Sequence, residues 1–242
     1  MTEASMDSFR FDGVIFDFNG VLLWDNHLHE EAWRRYSRRL RGVTMTDEEM
    51  RQAVHGRVNR DTFTYLLGRP VDDGELRPLM EEKEALYRRL ALESIDSYRL
   101  SSGAIELLDF LVAHDAPRAI ATSSPWVNVA FYIEHLDLHR WFPPEWIVHD
   151  HGRYPGKPAP GIYLEAAGRL GGAPDRFIVV EDSIAGIRSA HSAGIGATVA
   201  IGPAAGHPAL IALPGVRMAI ETLDEFPRHW LGIPAPAPPV RP

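Results

Sequence analysis

The sequence predicts an α/β protein with a doubly wound parallel sheet as its core and a small all-helical cap domain inserted after the first strand. Along most of the chain, short apolar runs of strand length alternate with helical segments of about 10–15 residues. This alternation is typical of a parallel sheet with right-handed crossovers. Residues 27–98 show only helical spacing and no strand pattern, which indicates the insert.

The composition of the 242-residue chain restricts its class. Hydrophobic residues make up 45%, and the absence of cysteine excludes disulfides, zinc–thiolate sites and cysteine nucleophiles. The net charge of −8 disfavours nucleic acid as a partner, since binding a phosphate backbone needs a basic surface. No apolar run approaches the roughly 20 residues of a membrane span, and residues 1–8 lack a signal-peptide pattern. We therefore expect a cytoplasmic protein with a small-molecule partner, acting as a monomer or weak homodimer.

The first strand is predicted at residues 14–16, an apolar run that leads directly into Asp17. Asn19 and Gly20 then mark a loop. In open α/β sheets, ligands bind at the carboxyl ends of the strands, so Asp17 is expected to lie at such a site. Taken alone, the run is equally compatible with an ordinary Asn-Gly turn.

The insert is predicted to contain helices at residues 28–40, 47–55, 61–67 and 75–94. Thr46, followed by three acidic residues, marks the start of the second helix. The predicted boundaries are 9–25 and 99–232 for the core, 26–98 for the cap, and 233–242 for a disordered Pro-rich tail. Segments 24–27 and 95–101 are expected to act as hinges.

Beyond the insert, strands are predicted at 119–121, 146–148, 177–180, 197–201 and 217–220, and helices at 101–114, 126–136, 160–170 and 184–193. Polar residues follow several of these strands, and in a parallel sheet they face the same edge as Asp17. They include Thr122, Ser123, Lys157, Glu181 and Asp182. Lys157 stands out because the chain has 25 basic residues and only Lys83 and Lys157 are lysines.

Carboxylates from two strand ends, together with a lysine and a hydroxyl, predict a magnesium-dependent phosphate site. Mg²⁺ commonly takes one or two carboxylates plus a substrate phosphate. A lysine, a hydroxyl and backbone amides hold phosphate oxygens. Asp17 could then attack phosphorus and form an aspartyl phosphate.

Four ordered motifs make the chain resemble the haloacid dehalogenase superfamily, in its phosphatase and β-phosphoglucomutase-like branch, from about residue 9 to residue 223. The motifs are Asp17-Phe18-Asn19-Gly20-Val21-Leu22, Ala121-Thr122-Ser123-Ser124, Gly156-Lys157-Pro158-Ala159-Pro160, and Glu181-Asp182-Ser183 with Gly186. The resemblance implies a Rossmann-like core with a mobile helical cap, whose closure sheds water and completes the site.

The resemblance also implies a role for each motif residue, with Asp17 as the nucleophile. The residues implied to hold magnesium are Asp17, Asn19 through its carbonyl group, Glu181 as a ligand or support, and Asp182. The residues implied to bind or neutralise the phosphoryl group are Thr122, Ser123 through its amide, and Lys157.

Two runs in the insert resemble cap segments of the same branch. His29-Glu30-Glu31-Ala32-Trp33 resembles the first cap helix, although its spacing from Asp25 is one residue short, and residues 56–61 resemble the substrate-specificity loop. The cap would therefore offer His29, Arg57, Asn59 and Arg60 to the substrate. The two arginines fit solvent-facing helix positions equally well.

Asn19 departs from the family pattern, which usually has a second aspartate two residues after the nucleophile. An amide cannot exchange a proton at neutral pH, and losing general acid–base catalysis typically costs about 10²–10⁴-fold. One explanation is that His29, Asp25 or a good leaving group on the substrate compensates. The others are a slow phosphatase, a non-catalytic phosphate-ligand binder, and partial deamidation of Asn19 to aspartate.

The sequence thus predicts a magnesium-dependent phosphatase for a small phosphomonoester, with a sugar or cyclitol phosphate of a biosynthetic pathway as the expected substrate. A β-phosphoglucomutase-like phosphotransferase is the rival enzyme, which Asn19 disfavours because a mutase shuttles a proton in every cycle. Gly161 replaces an acid that the family commonly has there, which bears on local stability. The run His149-Asp150-His151 is interpreted as structural rather than as a metal site.

Overall fold

A six-stranded parallel sheet, in the order β3-β2-β1-β4-β5-β6, forms the centre of the computed structural model, which describes residues 10–233 apart from the side chain of Ser97. The strands are β1 Gly13–Phe16, β2 Arg118–Pro125, β3 Ile147–Asp150, β4 Phe177–Glu181, β5 Ala197–Ile201 and β6 Val216–Ile220. The chain builds outward from β1 to β3 on one side and then from β4 to β6 on the other. The predicted doubly wound sheet is confirmed, and β1 and β4 flank the point where the strand order reverses, where such sheets bind ligands.

Helices cover both faces of the sheet and form the insert. The helices between β1 and β2 are α1 Asn26–Arg41, α2 Asp47–Ala53, α3 Asn59–Leu67, α4 Asp73–Glu93 and α5 Ala104–Ala113, and those that follow are α6 Trp126–Leu136, α7 Gly161–Arg169, α8 Ile184–Ser192 and α9 His207–Ile211. The insert comprises α1 to α4. Within the described residues, no helix has the length and apolar character needed to span a membrane.

Strand β1 is fixed by burial on both faces. Val14 and Phe16 pack into the hydrophobic cluster on one side of the sheet, and Ile15 packs into the cluster on the other. Successive side chains of a strand point to opposite faces, so a strand covered on both sides is apolar throughout. This arrangement holds the backbone that leads into Asp17 rigidly in place.

The insert has a small hydrophobic core of its own, which includes Trp33, Met50 and Phe63. It also contributes to the main core, because Leu28 of α1 and Tyr87 of α4 pack into the cluster on one face of the sheet. Packing therefore joins the insert to the sheet along two of its four helices.

The two linkers between core and insert lie side by side. Leu23 and Leu100 form an antiparallel bridge. Ser101 secures the crossing, since its amide donates to the Leu22 carbonyl at 2.9 Å and its hydroxyl donates to the Val21 carbonyl at 2.6 Å. Both connections thus pass through one narrow region beside the end of β1.

Thr46 starts α2 as predicted. The Glu49 amide donates to Thr46 Oγ1 at 3.2 Å, and the Thr46 amide donates to Glu49 Oε2 at 2.7 Å. This reciprocal pair satisfies two backbone donors at the start of the helix.

Two strands and one helix differ most from the prediction. β2 continues through its polar end to Pro125, and β3 includes His149 and Asp150, so both strands extend beyond their predicted ends at residues 121 and 148. The pairing register of the two strands shifts between Ala121 and Pro125 and resumes at Asp150, so the polar residues belong to an irregular strand. α9 was not predicted. The domain boundaries stay predictions, and residues 234–242 of the predicted tail lie outside the described residues.

Candidate active site

The loop after β1 places Asp17 in a buried position at the edge of the sheet. Its amide donates to the Val180 carbonyl at 3.0 Å, and the residue is 7% exposed. Gly20, with a φ of +87°, then turns the chain against Asp182. A Cβ atom at residue 20 would lie 2.0 Å from Asp182 Oδ2, so only glycine permits this approach.

Lys157 connects the carboxylates at the ends of β1 and β4. Its Nζ donates to Asp17 Oδ1 at 2.6 Å and to Glu181 Oε1 at 2.5 Å, and the side chain is buried. Burial lowers the pKa of Lys157, but the two carboxylates outweigh it and raise the pKa well above its ordinary value. The structure therefore brings a charged Lys157 to Asp17, as its predicted role requires.

Glu181 uses both carboxylate oxygens within the protein. Oε1 accepts from Lys157 and from the Tyr163 hydroxyl at 3.0 Å, while Oε2 accepts from the Ser183 amide at 2.7 Å and hydroxyl at 3.0 Å. A Cβ atom on Gly186 would lie 1.6 Å from Oε1, so this glycine makes room for the carboxylate. Glu181 is therefore better placed to support the site than to act as a principal metal ligand.

Asp17, Glu181 and Asp182 form a carboxylate cluster, in which one oxygen of each lies within 4.8 Å of the others. When all three carboxylates are ionised, the cluster has an excess of two negative charges over the one ammonium group, from Lys157. Desolvation, opposed by Lys157, raises the pKa of Asp17 to about 7. Desolvation and the two other carboxylates raise the pKa of Asp182 well above its usual range. The cluster fits Mg²⁺, because carboxylate oxygens are its preferred protein ligands and a divalent cation would offset the excess charge.

Thr122 and Ser123 extend from β2 toward the same place. The buried Thr122 Oγ1 accepts from the Ser124 amide at 3.1 Å, and its own proton can still be donated to a phosphate oxygen. Ser123 Oγ donates to the Gly56 carbonyl of the insert at 3.1 Å. β2 therefore contacts the insert at the predicted phosphate site.

Asp25 fixes the side-chain amide of Asn19. Nδ2 donates to the two Asp25 carboxylate oxygens at 3.1 and 2.9 Å and to the Tyr132 hydroxyl at 3.1 Å, while Oδ1 accepts from Ser124 Oγ at 2.9 Å. Asp25 is 1% exposed and also accepts from the Tyr87 hydroxyl. Asn19 is thus a fixed bridge between the end of β2 and the linker to the insert.

His29 lies next to this bridge, with Nε2 at 3.3 Å from Asn19 Nδ2. Its Nδ1 is 3.2 Å from Lys83 Nζ, and its ring stacks on Tyr87 with the centroids 3.8 Å apart. Lys83 in turn pairs with the buried Glu84 at 3.0 Å. Burial lowers the pKa of Lys83 even though Glu84 acts in the opposite direction.

The site also contains residues that were not predicted from the sequence, among them Lys83, Glu84 and Tyr132. The scarcity of lysine that drew attention to Lys157 applies equally to Lys83 and was a usable signal. Glu84 and Tyr132 lie within long helices, where their spacing does not distinguish them from structural residues.

The structure separates the two arginines of the predicted specificity loop. Arg57 lines the site and donates to the Lys157 carbonyl at 3.2 Å. Arg60 instead donates to the Val71 carbonyl at 2.7 Å and binds the Asp73 carboxylate within the insert. The expectation that Arg60 faces the substrate therefore does not fit the structure, because α3 directs this side chain away from the cavity.

A cavity of about 80 Å³ lies between the insert and the core at Asp17. Its lining combines residues from both, and the predicted residues among them are Asp17, Asn19, His29, Arg57, Asn59, Thr122, Ser123 and Asp182. Lys157 adjoins this set through its contact with Asp17, and Glu181 adjoins it through its contact with Lys157. The structure thus brings the predicted site residues to one place, all except Arg60.

Two other sequence features have structural explanations. A Cβ atom on Gly161 would lie 2.6 Å from Tyr154 Cγ, so the ring excludes the acidic residue expected there. His151 pairs with Glu165 at 2.9 Å. The ring of His149 packs on the ring of Trp126, with the centroids 5.4 Å apart. Among the described residues, the carboxylate cluster at β1 and β4 is the group that could hold a metal ion.

A model of the haloacid dehalogenase-like hydrolases matches residues 11–194. The chain belongs to this family. A hydrolase of the same superfamily from Entamoeba histolytica, described as family IA, variant 3, has a crystal structure that superposes with a TM-score of 0.79 at 36% identity, over 88% of this chain and 94% of that one. The predicted resemblance is confirmed.

Two of the relatives of the present chain are named as phosphatases. A Thermotoga maritima protein named phosphorylated carbohydrates phosphatase is 31% identical over 188 residues, covering 76% of this chain and 82% of that protein. Validoxylamine A 7'-phosphate phosphatase from Streptomyces hygroscopicus is 32% identical over 186 residues, covering 75% of this chain and 82% of that protein.

Proposed function

We propose that this haloacid dehalogenase-like hydrolase is a magnesium-dependent cytoplasmic phosphatase for a small phosphomonoester, a sugar or cyclitol phosphate. The observation that carries the proposal is the carboxylate cluster of Asp17, Glu181 and Asp182 around Lys157, at the point where the strand order reverses. The names of the two relatives, one of which acts on phosphorylated carbohydrates, support the substrate class.

In the proposed reaction, a carboxylate oxygen of Asp17 attacks phosphorus, and the bond from phosphorus to the ester oxygen breaks as that oxygen gains a proton. Water then hydrolyses the aspartyl phosphate and restores Asp17. Lys157 neutralises charge on Asp17, and Thr122 with the Ser123 amide binds phosphate oxygens. Mg²⁺ held by Asp17, Asp182 and the carbonyl of residue 19 would offset the negative charge of the phosphate.

His29 and Asp25, the two side chains that could replace the aspartate missing at position 19, differ in their access to the cavity. His29 lines the cavity, whereas Asp25 lies behind Asn19 and does not. His29 is therefore the one that can reach a substrate, and a substrate with a good leaving group would need neither.

The test is phosphate release with magnesium across a panel of sugar phosphates, by the wild type and by Asp17→Asn. We expect release by the wild type to fall to background in the variant, and to persist in Asp175→Asn, which changes an exposed aspartate. Binding of phosphate esters without turnover would instead identify a non-catalytic binder. Isomerised sugar phosphate without free phosphate would identify a phosphotransferase.

A further inference from the structure

A second cavity, of about 680 Å³, adjoins the one at Asp17. The two cavities share the lining residues Asn26, His55 and Asp182. The first is far below the roughly 300–1,000 Å³ of ordinary small-molecule pockets, and the second lies within that range. The three shared residues form a common wall, in which Asn26 Nδ2 donates to Asp182 Oδ2 at 2.9 Å. The second cavity is therefore the adjoining space into which a substrate too large for the first cavity could extend.

The lining of the second cavity combines an aromatic side chain with hydrogen-bonding groups. Trp24, in the linker between β1 and α1, is 48% exposed, and the exposed Pro203 adds apolar surface. His27 and Glu221 are exposed polar residues of the same lining. A mainly apolar pocket with a few polar groups that fix orientation is the usual design of a small-molecule site.

The charge of this lining indicates a neutral ligand group. The described residues that line the second cavity include the carboxylates of Asp182 and Glu221 but no lysine or arginine. A second phosphate would meet these acids without a cationic partner, because anionic groups are normally bound by arginine or lysine. A sugar ring suits the lining better, since its C–H faces can pack on an indole and its hydroxyl groups can bind carboxylate and imidazole.

We propose that the second cavity binds a second sugar ring, so that the preferred substrate is a phosphorylated disaccharide rather than a monosaccharide phosphate. The inference rests on the proposed phosphatase function and adds a specificity subsite to it. Trp24 packs against the ring, and His27 and Glu221 bind its hydroxyl groups.

The first experiment compares kcat/KM for trehalose 6-phosphate and glucose 6-phosphate, which carry the phosphate at the same position and differ by one ring. We expect the wild type to prefer trehalose 6-phosphate. Trp24→Ala should lower kcat/KM for this substrate about tenfold, through KM, because the lost contact is remote from the reacting atoms. The effect on glucose 6-phosphate should be much smaller.

Trp126→Ala is the matched control. Trp126 is 49% exposed, nearly the same as Trp24, and lines neither cavity. We expect this variant to keep the wild-type preference. Loss of the preference in both variants would overturn the assignment of Trp24 to the subsite.

A binding measurement separates this inference from the proposed function. Calorimetric titration of Asp17→Asn with the two sugar phosphates needs no turnover, so it decides the subsite even if no phosphate is released by any form of the protein. Tighter binding of trehalose 6-phosphate that weakens in Asp17→Asn/Trp24→Ala supports the subsite. Equal affinity for the two ligands overturns it. Tighter binding of AMP than of trehalose 6-phosphate also overturns it, because it would assign the cavity to an aromatic base.

Discussion

At the scale of single residues, Asn19 and Asp25 form a matched pair. The amide of Asn19 donates to both oxygens of a carboxylate that is 1% exposed. An aspartate at position 19 would place two carboxylates about as close as the present 2.9 Å contact, and two such groups cannot both ionise without a large cost. The absence of the family's usual aspartate is therefore tied to a carboxylate six residues later in the chain.

We predict that Asn19→Asp alone lowers the free energy of unfolding by about 1–3 kcal/mol at neutral pH. Two carboxylates in contact repel each other once both are ionised, so the cost should grow as pH rises above about 4. Asn19→Asp/Asp25→Asn restores an amide–carboxylate pair in reversed order and should recover stability. Urea unfolding at about pH 5 and about pH 7.5 measures both effects, and a single variant as stable as the wild type would contradict the pairing.

The sequence could predict the group around Asp17 because its members lie at or beyond the carboxyl ends of strands, and strands of a parallel sheet end at one edge. It could not predict that Lys83 and Glu84 join that group, since these contacts depend on how α4 packs. The different placement of Arg57 and Arg60 has a specific cause. Arg57 precedes the start of α3, so a spacing of three residues does not place the two arginines on one helical face.

At the scale of elements, the loop between α2 and α3 connects the insert to two strand ends of the core. Gly56 has a φ of +70°, and a Cβ atom there would lie 2.3 Å from Ser183 Oγ. Its carbonyl accepts from Ser123 Oγ at 3.1 Å. Closure of the insert over the cavity therefore depends on a backbone contact that a side chain would prevent.

We predict that Gly56→Ala lowers kcat/KM at least about tenfold by holding the insert away from Ser183. Gly42→Ala is the control, because Gly42 has a φ of +77° with nothing within 4 Å of its Cβ position. Both variants carry the backbone strain of a left-handed residue, about 1–2 kcal/mol. Their melting temperatures should fall similarly while only Gly56→Ala loses activity. Equal losses of kcat/KM would show that strain, not contact, is responsible.

The lengths of the strands were only partly predictable. β5 matches its predicted range, whereas β2 was placed at residues 119–121 and extends over Arg118–Pro125. Its polar end is typical of a loop, and the pairing with β3 that keeps it extended involves a register shift. Such pairing depends on a neighbouring strand, which local sequence does not reveal.

At the scale of the whole molecule, buried polar contacts as well as apolar packing hold the insert to the core. Asn128 of α6 donates to Glu84 of α4 at 2.7 Å, and Tyr87 of α4 packs in the main hydrophobic cluster. The carboxylate cluster lowers the stability of the folded protein, because its excess negative charge is buried next to these contacts. Stability should therefore depend on whether a cation is bound.

We predict that magnesium stabilises the protein more strongly as pH rises from about 4 to above 7. The pKa of Asp17 is raised to about 7 in the folded protein, so the stability it contributes is present at low pH and lost as pH rises through that value. Magnesium requires the ionised carboxylates and should offset that loss. Melting temperatures with and without magnesium, at about pH 5 and about pH 7.5, measure the effect.

Asp182→Asn should remove most of this magnesium-dependent shift at both pH values, because it deletes one proposed ligand. A shift that is independent of pH, or larger in acid, would contradict the carboxylate cluster as the binding site.

The burial of both lysines has a practical consequence for labelling. Lys83 in the insert is 2% exposed and Lys157 in the core is 1% exposed, and every other basic residue of the 25 is arginine. Amine-acylating dyes, crosslinkers and activated resins therefore find no lysine side chain on the native surface. Mass spectrometry of protein sampled during slow acylation would measure separately how fast Lys83, in the insert, and Lys157, in the core, become exposed.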